Sequence, residues 1–246
     1  MRFSGFLLRD LDRGKMLEAD YLWLREIDDI ADGDLAVPVG YATPAEYVAE
    51  KLGFLLQARE PKDDVEALML FCDRLSVKTG LNLTHARQMI IESMLFDAQR
   101  LGTGTVFPEA ELQEYFYNCD IVGTAAGALP LFGEPLEKWP FVYEMGQAVR
   151  IYYNLRDFSK DVRAGLVNIS AEDVTRFNVT VEDLQDVDSQ SVKAWFKDQA
   201  HQGLVLLEQG KQKMREGNFG QLSRSFVYFY HERPAEKFLK GVEYYG

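Results

Sequence analysis

Two pairs of aspartates carry the chemistry that this chain could perform. Asp28 and Asp32 are four residues apart, and Asp157 and Asp161 repeat that spacing later in the chain. On a helix, residues four apart lie on one face, about one turn from each other. Two such faces directed at one cavity would form a cage of oxygen ligands, and Mg²⁺ prefers carboxylate, water and phosphate oxygens. The spacing therefore predicts a magnesium site that binds a diphosphate.

Helices must position these pairs. Apolar residues recur at steps of three and four over residues 13–31, which predicts an amphipathic helix that ends near Gly33 and carries the first pair. Thr43 as N-cap and Pro44 in the first turn predict a second helix to about Leu56. Further helices are predicted over residues 63–77, 84–101, 108–127, 138–162, 188–216 and 221–245, with capping-box-like starts at Ser170 and Thr180.

Composition limits the class of protein. The chain has 246 residues, of which 47% are apolar, and no sustained β alternation, so we expect one all-α domain over residues 1–246 with eight to ten helices. A net charge of −12 argues against a nucleic-acid partner. Two cysteines without metal-like spacing favour a reducing compartment, and residues 1–10 are too briefly apolar for a signal peptide. We therefore expect a cytoplasmic protein with no membrane span.

Four local blocks of the chain carry motifs. They read YLWLREIDDIAD at residues 21–32, MIIESMLFD at residues 89–97, YNCDIVGTAA at residues 117–126, and LRDFSKDVRAG at the end of residues 146–165. Taken together, the blocks resemble the squalene/phytoene synthase family of head-to-head prenyltransferases. In chain order they are similar to its first aspartate-rich helix, its I-x-G-M-x-x-D stretch, its glycine-containing helix, and its second aspartate-rich helix with the following turn. The blocks keep the family's order, which makes them more specific together than any one alone.

The second aspartate helix and its turn depart from the family pattern. Arg150, Tyr153 and Asn154 stand where the family usually has glutamine, asparagine and isoleucine, and Lys160 replaces an acidic residue. In the turn, Leu166, Asn168 and Ser170 replace a basic residue, an aromatic residue and a proline. These departures put the family's usual substrate and second half-reaction in question, although the four aspartates are kept.

The resemblance implies roles for individual residues. Asp28, Asp32, Asp157 and Asp161 would be catalytic Mg²⁺ ligands, with Asp29 behind them and Tyr21 a further catalytic residue. Substrate-binding residues would be Arg25, Arg156 and Arg163, whose guanidinium groups suit phosphate oxygens, together with Tyr117, Gly123 and Tyr153. Phe116 and Tyr152 are further aromatic candidates for facing a cation. Each feature also has an alternative structural interpretation. The acidic pairs could be solvated helix faces, the arginines ion-pair partners, the aromatic residues part of the core, and Gly123 a site of close helix packing.

The resemblance also implies a fold and an activity. We expect a helical bundle of the class I isoprenoid synthase type with a central cavity, apolar and closed because water would quench a carbocation. The implied reaction ionises farnesyl or geranylgeranyl diphosphate and joins two such substrates into a C30 or C40 product for terpene or carotenoid biosynthesis, with at most peripheral membrane contact. Two alternatives stay open, a terpene-cyclase-like enzyme with one substrate and a non-catalytic binding or assembly module. Prenyl chain length, a reductive step and oligomeric state are not determined by the sequence.

Overall fold

The computed structural model of the protein describes residues 11–57 and 59–245, and the regular elements in those ranges are all helices. The predicted all-α class is therefore confirmed, while the segment at residues 1–10 lies outside the described residues. The chain divides into two compact units, Met1–Leu101 with Val122–Leu136, and Gly102–Ile121 with Glu137–Gly246. A single functional domain over residues 1–246 stays a prediction.

In chain order the α-helices are α1 (Leu11–Ala31), α2 (Pro44–Leu56), α3 (Asp64–Thr79), α4 (Thr84–Arg100), α5 (Glu109–Phe116), α6 (Ala126–Leu131), α7 (Tyr143–Arg163), α8 (Ala171–Phe177), α9 (Val181–Leu184), α10 (Gln190–Glu216), α11 (Gln221–Val227) and α12 (Arg233–Tyr245). Two π-helical segments, Tyr117–Ala125 and Tyr228–Glu232, and one 3₁₀ segment, Leu136–Phe141, connect some of them.

The first unit is built on α1, which packs against α3, while α2 packs against α4. The buried stripe of α1 includes Met16, Trp23, Ile27 and Ile30, spaced so that these side chains share one helix face. Because Ile27 and Ile30 face the core, the aspartates beside them fall on the flanks of the last turns of α1. The core of the first unit thus fixes which face of α1 carries the first aspartate pair.

The second unit is built on α7 and α10, which pack along each other, with α12 against α10. Its core includes Leu155, Phe158 and Val162 of α7 together with Trp195 of α10 and Leu239 of α12. The ring centroids of Phe158 and Trp195 lie 5.6 Å apart, and this contact packs the C-terminal half of α7 against α10. That half of the helix carries the second aspartate pair.

Several helix starts follow the predicted caps. The side chains of Thr43 and Ser170 accept backbone N–H groups at the starts of α2 and α8, at 3.1 and 3.0 Å. Thr180 and Asp183 form the complete capping box of α9. At α8 only half of the predicted box forms, because the carboxylate of Asp173 accepts from the indole N–H of Trp195 instead.

Three predicted helices are wrong in detail. The single helix over residues 108–127 is broken into α5, a π-helical segment and α6, and the one over residues 221–245 contains the second π-helical segment. The helix predicted from residue 138 starts as a 3₁₀ turn, and α7 begins only at Tyr143. Apolar spacing identifies helical chain, but it does not distinguish the number of residues per turn over short stretches.

Candidate active site

The first aspartate pair lies at the C-terminal end of α1 in the first unit, with Asp28 in the last turn and Asp32 immediately after the helix. Nη1 of Arg25 donates to Oδ2 of Asp28 at 2.9 Å, and its Nη2 forms an ion pair with Asp29. Partial burial opposes the charged guanidinium, but these carboxylates outweigh it, so the pKa of Arg25 is raised. Tyr21 is exposed one turn earlier on α1. Arg25, Asp28, Asp29 and Tyr21 therefore form one charged, solvent-accessible end of the helix.

The second aspartate pair lies on α7, in the second unit. Arg156 places Nε and Nη2 on the two carboxylate oxygens of Asp157, at 2.8 and 2.5 Å, and its Nη1 donates to the hydroxyl of Tyr152 at 3.2 Å. The hydrogen bonds to Asp157 raise the pKa of Arg156 above its ordinary value. The guanidinium also lies 4.7 Å from the ring centroid of Tyr153. Arg156 is thus held in place by a carboxylate and by aromatic rings.

The turn after α7 contains residues that differ from the family pattern, and it brings one of them, Asn168, back to Asp161. Gly165 has φ +78°, and a side chain there would meet the backbone of Gly102 at 2.6 Å, so glycine is needed at this close approach. The chain then returns, and Nδ2 of Asn168 donates to Oδ2 of Asp161 at 3.3 Å. Leu166, another departure from the family pattern, is buried. Asn168 therefore gives the second pair a polar neighbour.

The face of α7 that carries this pair continues along the helix as polar residues. Gln147, Arg150 and Asn154 precede Asp157 and Asp161 at steps of three and four, so all five share one helix face. The first three of them line a cavity of about 470 Å³ within the second unit. The second aspartate pair is thus continuous with a cavity wall.

An ion pair occupies one side of that cavity. Nε and Nη2 of Arg150 donate to the two carboxylate oxygens of Asp120 at 2.7 and 2.6 Å. Asp120 belongs to the π-helical segment Tyr117–Ala125, and the guanidinium carbon of Arg150 lies 5.0 Å from the ring centroid of Phe116. Burial opposes the charge of Arg150, but Asp120 outweighs it and raises the pKa of Arg150 well above its ordinary value. The arginine that replaces the family's glutamine is therefore a fixed, neutralised part of the wall.

Other polar residues line the cavity beside this ion pair. Nε1 of Trp195 and Nε2 of Gln199 donate to Oδ2 of Asp173 at 2.9 and 3.4 Å. Glu109 and Gln113 at the same cavity are exposed, so the cavity reaches solvent. Leu112, Ile121, Ile151 and Leu206 also line it, so the wall of this cavity is partly polar and partly apolar. The expected apolar, closed cavity stays a prediction.

The predicted site residues divide between the two units. Asp28, Asp32, Arg25, Tyr21 and the buried Gly123 belong to the first unit, and Asp157, Asp161, Arg156, Arg163, Tyr117 and Tyr153 to the second. Tyr117 lines the cavity and Arg163 is exposed, whereas Tyr152 and Tyr153 pack in or against the core of the second unit. Within each unit, the structure brings one aspartate pair and its arginine together.

Sequence reasoning missed Asp120, Gln147, Asp173 and Gln199. A carboxylate in the otherwise apolar stretch around Asp120 was the one available signal, but its partner Arg150 is 30 residues away in sequence. Gln199 lies in no matched block, and Gln147 lies at the start of the block over residues 146–165, where no role was assigned to it. Only the packing of α10 along α7 places Gln199 near the same cavity as Gln147.

The aspartates fit a magnesium ion by the chemistry of their donors. Asp28 and Asp157 are about one-third exposed, so water can complete a coordination shell around them. Mg²⁺ is typically held by one or two carboxylates plus waters and substrate phosphates, which is what a pair on one helix can offer. Among residues 11–57 and 59–245, no group of three or more histidine, cysteine or acidic side chains is close enough to hold a metal unaided.

The squalene/phytoene synthase profile matches residues 6–231 of the sequence. The chain belongs to this family. Members of the squalene/phytoene synthase family are prenyltransferases, so the protein is an enzyme of that class, and the resemblance drawn from the four sequence blocks is confirmed.

Solved structures agree with the fold of the family. The squalene synthase HpnC from Alicyclobacillus acidocaldarius superposes with a TM-score of 0.73 at 15% identity, over 97% of this chain and 86% of that one. A dehydrosqualene synthase in complex with ligand gives a TM-score of 0.63 at 20% identity, over 99% of this chain and 90% of that one. No curated protein sequence matches the chain. None of the helices in the described part of this family member is long and apolar enough to cross a membrane.

Proposed function

We propose that the protein is a magnesium-dependent prenyltransferase that ionises one prenyl diphosphate and joins the cation head to head with a second. The observation that carries this proposal is that both aspartate pairs are kept, each in or at the end of a long helix, and that the first aspartate of each pair contacts an arginine. The family match and the names of the two solved relatives, a squalene synthase and a dehydrosqualene synthase, support the head-to-head chemistry. The substrate would be farnesyl or geranylgeranyl diphosphate.

The residues of the chain supply binding, orientation and charge. Asp28, Asp32, Asp157 and Asp161 would hold Mg²⁺, which when bound neutralises the charge that develops on a leaving diphosphate. Arg25 and Arg156 would donate to phosphate oxygens, because a guanidinium presents paired N–H donors in one plane. The rings of Phe116 and Tyr117 at the cavity would face the allylic cation, each contributing about 0.5–2 kcal/mol.

A one-substrate reaction is the second candidate. Asn154, Asn168 and Ser170 differ from the family pattern, and all three line the cavity of the second unit, so the half-site for a second substrate is altered in chemistry. A product with the carbon number of a single substrate would favour this candidate. A coupled C30 or C40 product would favour condensation.

The test is product analysis of the purified protein with Mg²⁺ and either prenyl diphosphate. Asp28→Asn and Asp157→Asn should each lower the rate of diphosphate release by about 100-fold or more, since each removes a metal-binding charge. Asp188→Asn is the matched control, because Asp188 is 79% exposed and forms an ion pair with Lys193, away from both aspartate pairs in sequence. Full activity of both site variants would exclude the aspartate pairs as the catalytic site. No diphosphate release by the wild-type protein from either substrate would leave the non-catalytic binding module.

A further inference from the structure

The turn that follows α7 is anchored in the core of the second unit. Leu166 is buried, and Val167 and Ile169, on either side of Asn168, belong to that core. Asn168 itself is half-buried and lines the cavity of the second unit. Because the neighbouring side chains are packed, the backbone that carries the Asn168 amide is held in one position.

Backbone hydrogen bonds fix both ends of the same turn. At its start, the N–H of Gly102 donates to the carbonyl of Ala164 at 2.8 Å, and at its end the N–H of Ala171 donates to the carbonyl of Phe107 at 2.9 Å. Because the backbone is ordered on both sides, little conformational entropy remains to be lost when the Asn168 side chain makes a contact. The turn is thus a rigid support for that side chain.

Asp161 contacts this turn twice. The N–H of Leu166 donates to the main-chain carbonyl of Asp161 at 2.8 Å, and Nδ2 of Asn168 donates to its carboxylate oxygen Oδ2 at 3.3 Å. The first contact holds the backbone of Asp161 in the last turn of α7, and the second restricts the rotation of its carboxylate. One short segment of the chain therefore orients both the backbone and the side chain of Asp161.

The donor that Asn168 supplies to Asp161 is neutral. An amide N–H orients a carboxylate and adds no charge of its own. Arg156 acts differently on Asp157, since its guanidinium donates to both carboxylate oxygens and brings an opposing positive charge. A divalent cation must compete with that charge at Asp157, whereas the amide of Asn168 adds no such competitor at Asp161. The contact from Asn168 is therefore of the kind that supports a metal ligand.

We propose that Asn168 is a positioning residue, which holds the carboxylate of Asp161 in the orientation that binds Mg²⁺. This inference rests on the proposed function, which assigns Asp161 to the metal. Hydrogen-bond donors behind ligating carboxylates orient them, and their loss typically lowers metal affinity by about 10–100-fold. The family usually has an aromatic residue at the position of Asn168, so this amide contact arises from one of the departures of the chain from its family.

The first test measures the need for Mg²⁺ without turnover. Isothermal titration calorimetry of the full chain with inorganic diphosphate, at a series of Mg²⁺ concentrations, gives the Mg²⁺ concentration that supports half-maximal diphosphate binding. Asn168→Leu keeps a similar side-chain volume and removes the donor, so this concentration should rise by about tenfold or more, and saturating Mg²⁺ should restore diphosphate binding. Gln212→Leu is the matched control, because the exposed Gln212 amide also donates to a carboxylate, that of Glu216, at 2.9 Å.

The outcomes separate this inference from the proposed function. An unchanged Mg²⁺ requirement in Asn168→Leu, with the fold intact by circular dichroism, overturns the inference and leaves the proposed function standing. An equal rise in Gln212→Leu also overturns it, because the effect would then not be specific to Asp161. If the wild-type protein binds diphosphate with no dependence on Mg²⁺, the metal site of the proposed function fails and this inference fails with it.

The second test asks whether Asn168 acts through Asp161. A double-mutant cycle combines Asn168→Ala with Asp161→Asn and compares the Mg²⁺ requirement of the four proteins. Alanine is smaller than asparagine, so this variant does not depend on the fit of leucine at the turn. Asn168→Ala should raise the requirement by about tenfold or more in the wild-type background, but by less than about twofold beside Asp161→Asn. A purely structural role of Asn168 would give the same factor in both backgrounds and would contradict the proposal.

Discussion

Arginine side chains already contact both aspartate pairs, Arg25 at Asp28 and Arg156 at Asp157. Sequence reasoning treated ion pairing and phosphate binding as alternative roles for these arginines. They are compatible, because a divalent cation takes carboxylate oxygens and a diphosphate takes guanidinium donors. In the structure, each arginine orients its carboxylate through hydrogen bonds. At the scale of residues, the proposed function would have these ion pairs exchange partners as metal and diphosphate bind.

A second set of charged residues has no such role and stabilises the fold of the first unit. Lys51 is fully buried between Asp63 and Glu66, and Nη1 and Nη2 of Arg59 each donate to Glu66 at 2.7 Å. Burial alone would raise the pKa of Glu66, but hydrogen bonds from Arg59, Lys51 and the backbone of Lys62 outweigh it. The pKa therefore falls from an ordinary 4.5 to about 2. A depressed carboxyl pKa stabilises the folded state above 4.5, and that contribution is lost as the pH falls towards 2.

We expect Glu66→Gln to be destabilised by roughly 3 kcal/mol at neutral pH, because it removes the central charge of a buried ion network. The wild type should lose stability between pH 4.5 and 2, and the variant should lose less over that range. Urea unfolding at several pH values measures both effects. Glu182→Gln, at an exposed position on α9, is the control. Equal pH dependence in Glu66→Gln and the wild type would contradict this account.

At the scale of elements, close helix packing sets the position of the second aspartate pair. A side chain at Gly210 of α10 would meet the backbone nitrogen of Met145 in α7 at 2.7 Å. A side chain at Gly203 would meet Leu239 of α12 at 2.9 Å and Ile151 of α7 at 3.2 Å. Gly203 and Gly210 lie two turns apart on one face of α10, and the absence of side chains there lets α10 approach α7 and α12 closely. The register of α7, and with it the direction of Asp157, depends on this contact.

Gly210→Ala should therefore destabilise the protein by about 1–3 kcal/mol, because the clash is with backbone that cannot move aside. Gly53→Ala makes the same chemical change in the middle of α2, where a side chain meets nothing within 4 Å. That variant should be stabilised by about 0.5–1 kcal/mol, since alanine loses less conformational entropy in a helix. Thermal unfolding of the two variants gives the comparison. If the two variants changed stability by similar amounts in the same direction, close packing between α7 and α10 would not explain the effect of Gly210→Ala.

Helix starts could be predicted where a nearby side chain caps the helix. Helix interiors could not be predicted where a partner distant in sequence determines their geometry. Thr43 and Thr180 bond to backbone within three residues, so the sequence contains both partners. The π-helical segment Tyr117–Ala125 instead holds Asp120 against Arg150 of α7. The aspartate pairs and their arginines were likewise visible from spacing, whereas the amide side chains that line the cavity of the second unit were not. Its amides come from α5, α7, α10 and the turn at Asn168, and only tertiary packing gathers them.

At the scale of the whole molecule, the net charge of −12 makes an anionic substrate a poor partner without a cation. Exposed charges act over about one Debye length, roughly 10 Å at ordinary ionic strength, and so part of this repulsion is screened by salt. What salt does not supply is a bridge between carboxylates and phosphate oxygens. Mg²⁺ supplies both neutralisation and a bridge, because its preferred ligands are oxygens of both kinds.

We therefore expect inorganic diphosphate to bind the wild-type protein at least about ten times more tightly with Mg²⁺ than with a chelator, a difference of about 1.4 kcal/mol or more. NaCl at matched ionic strength should not restore the affinity, since it screens charge without coordinating it. Isothermal titration calorimetry measures each case, and Asp157→Asn should reduce the gain from Mg²⁺ while Asp188→Asn keeps it. Equal affinity with chelator and with Mg²⁺ would mean that Arg25 and Arg156 bind the diphosphate unaided. The aspartates would then serve only to hold those arginines, and a metal-dependent mechanism would have no place on this chain.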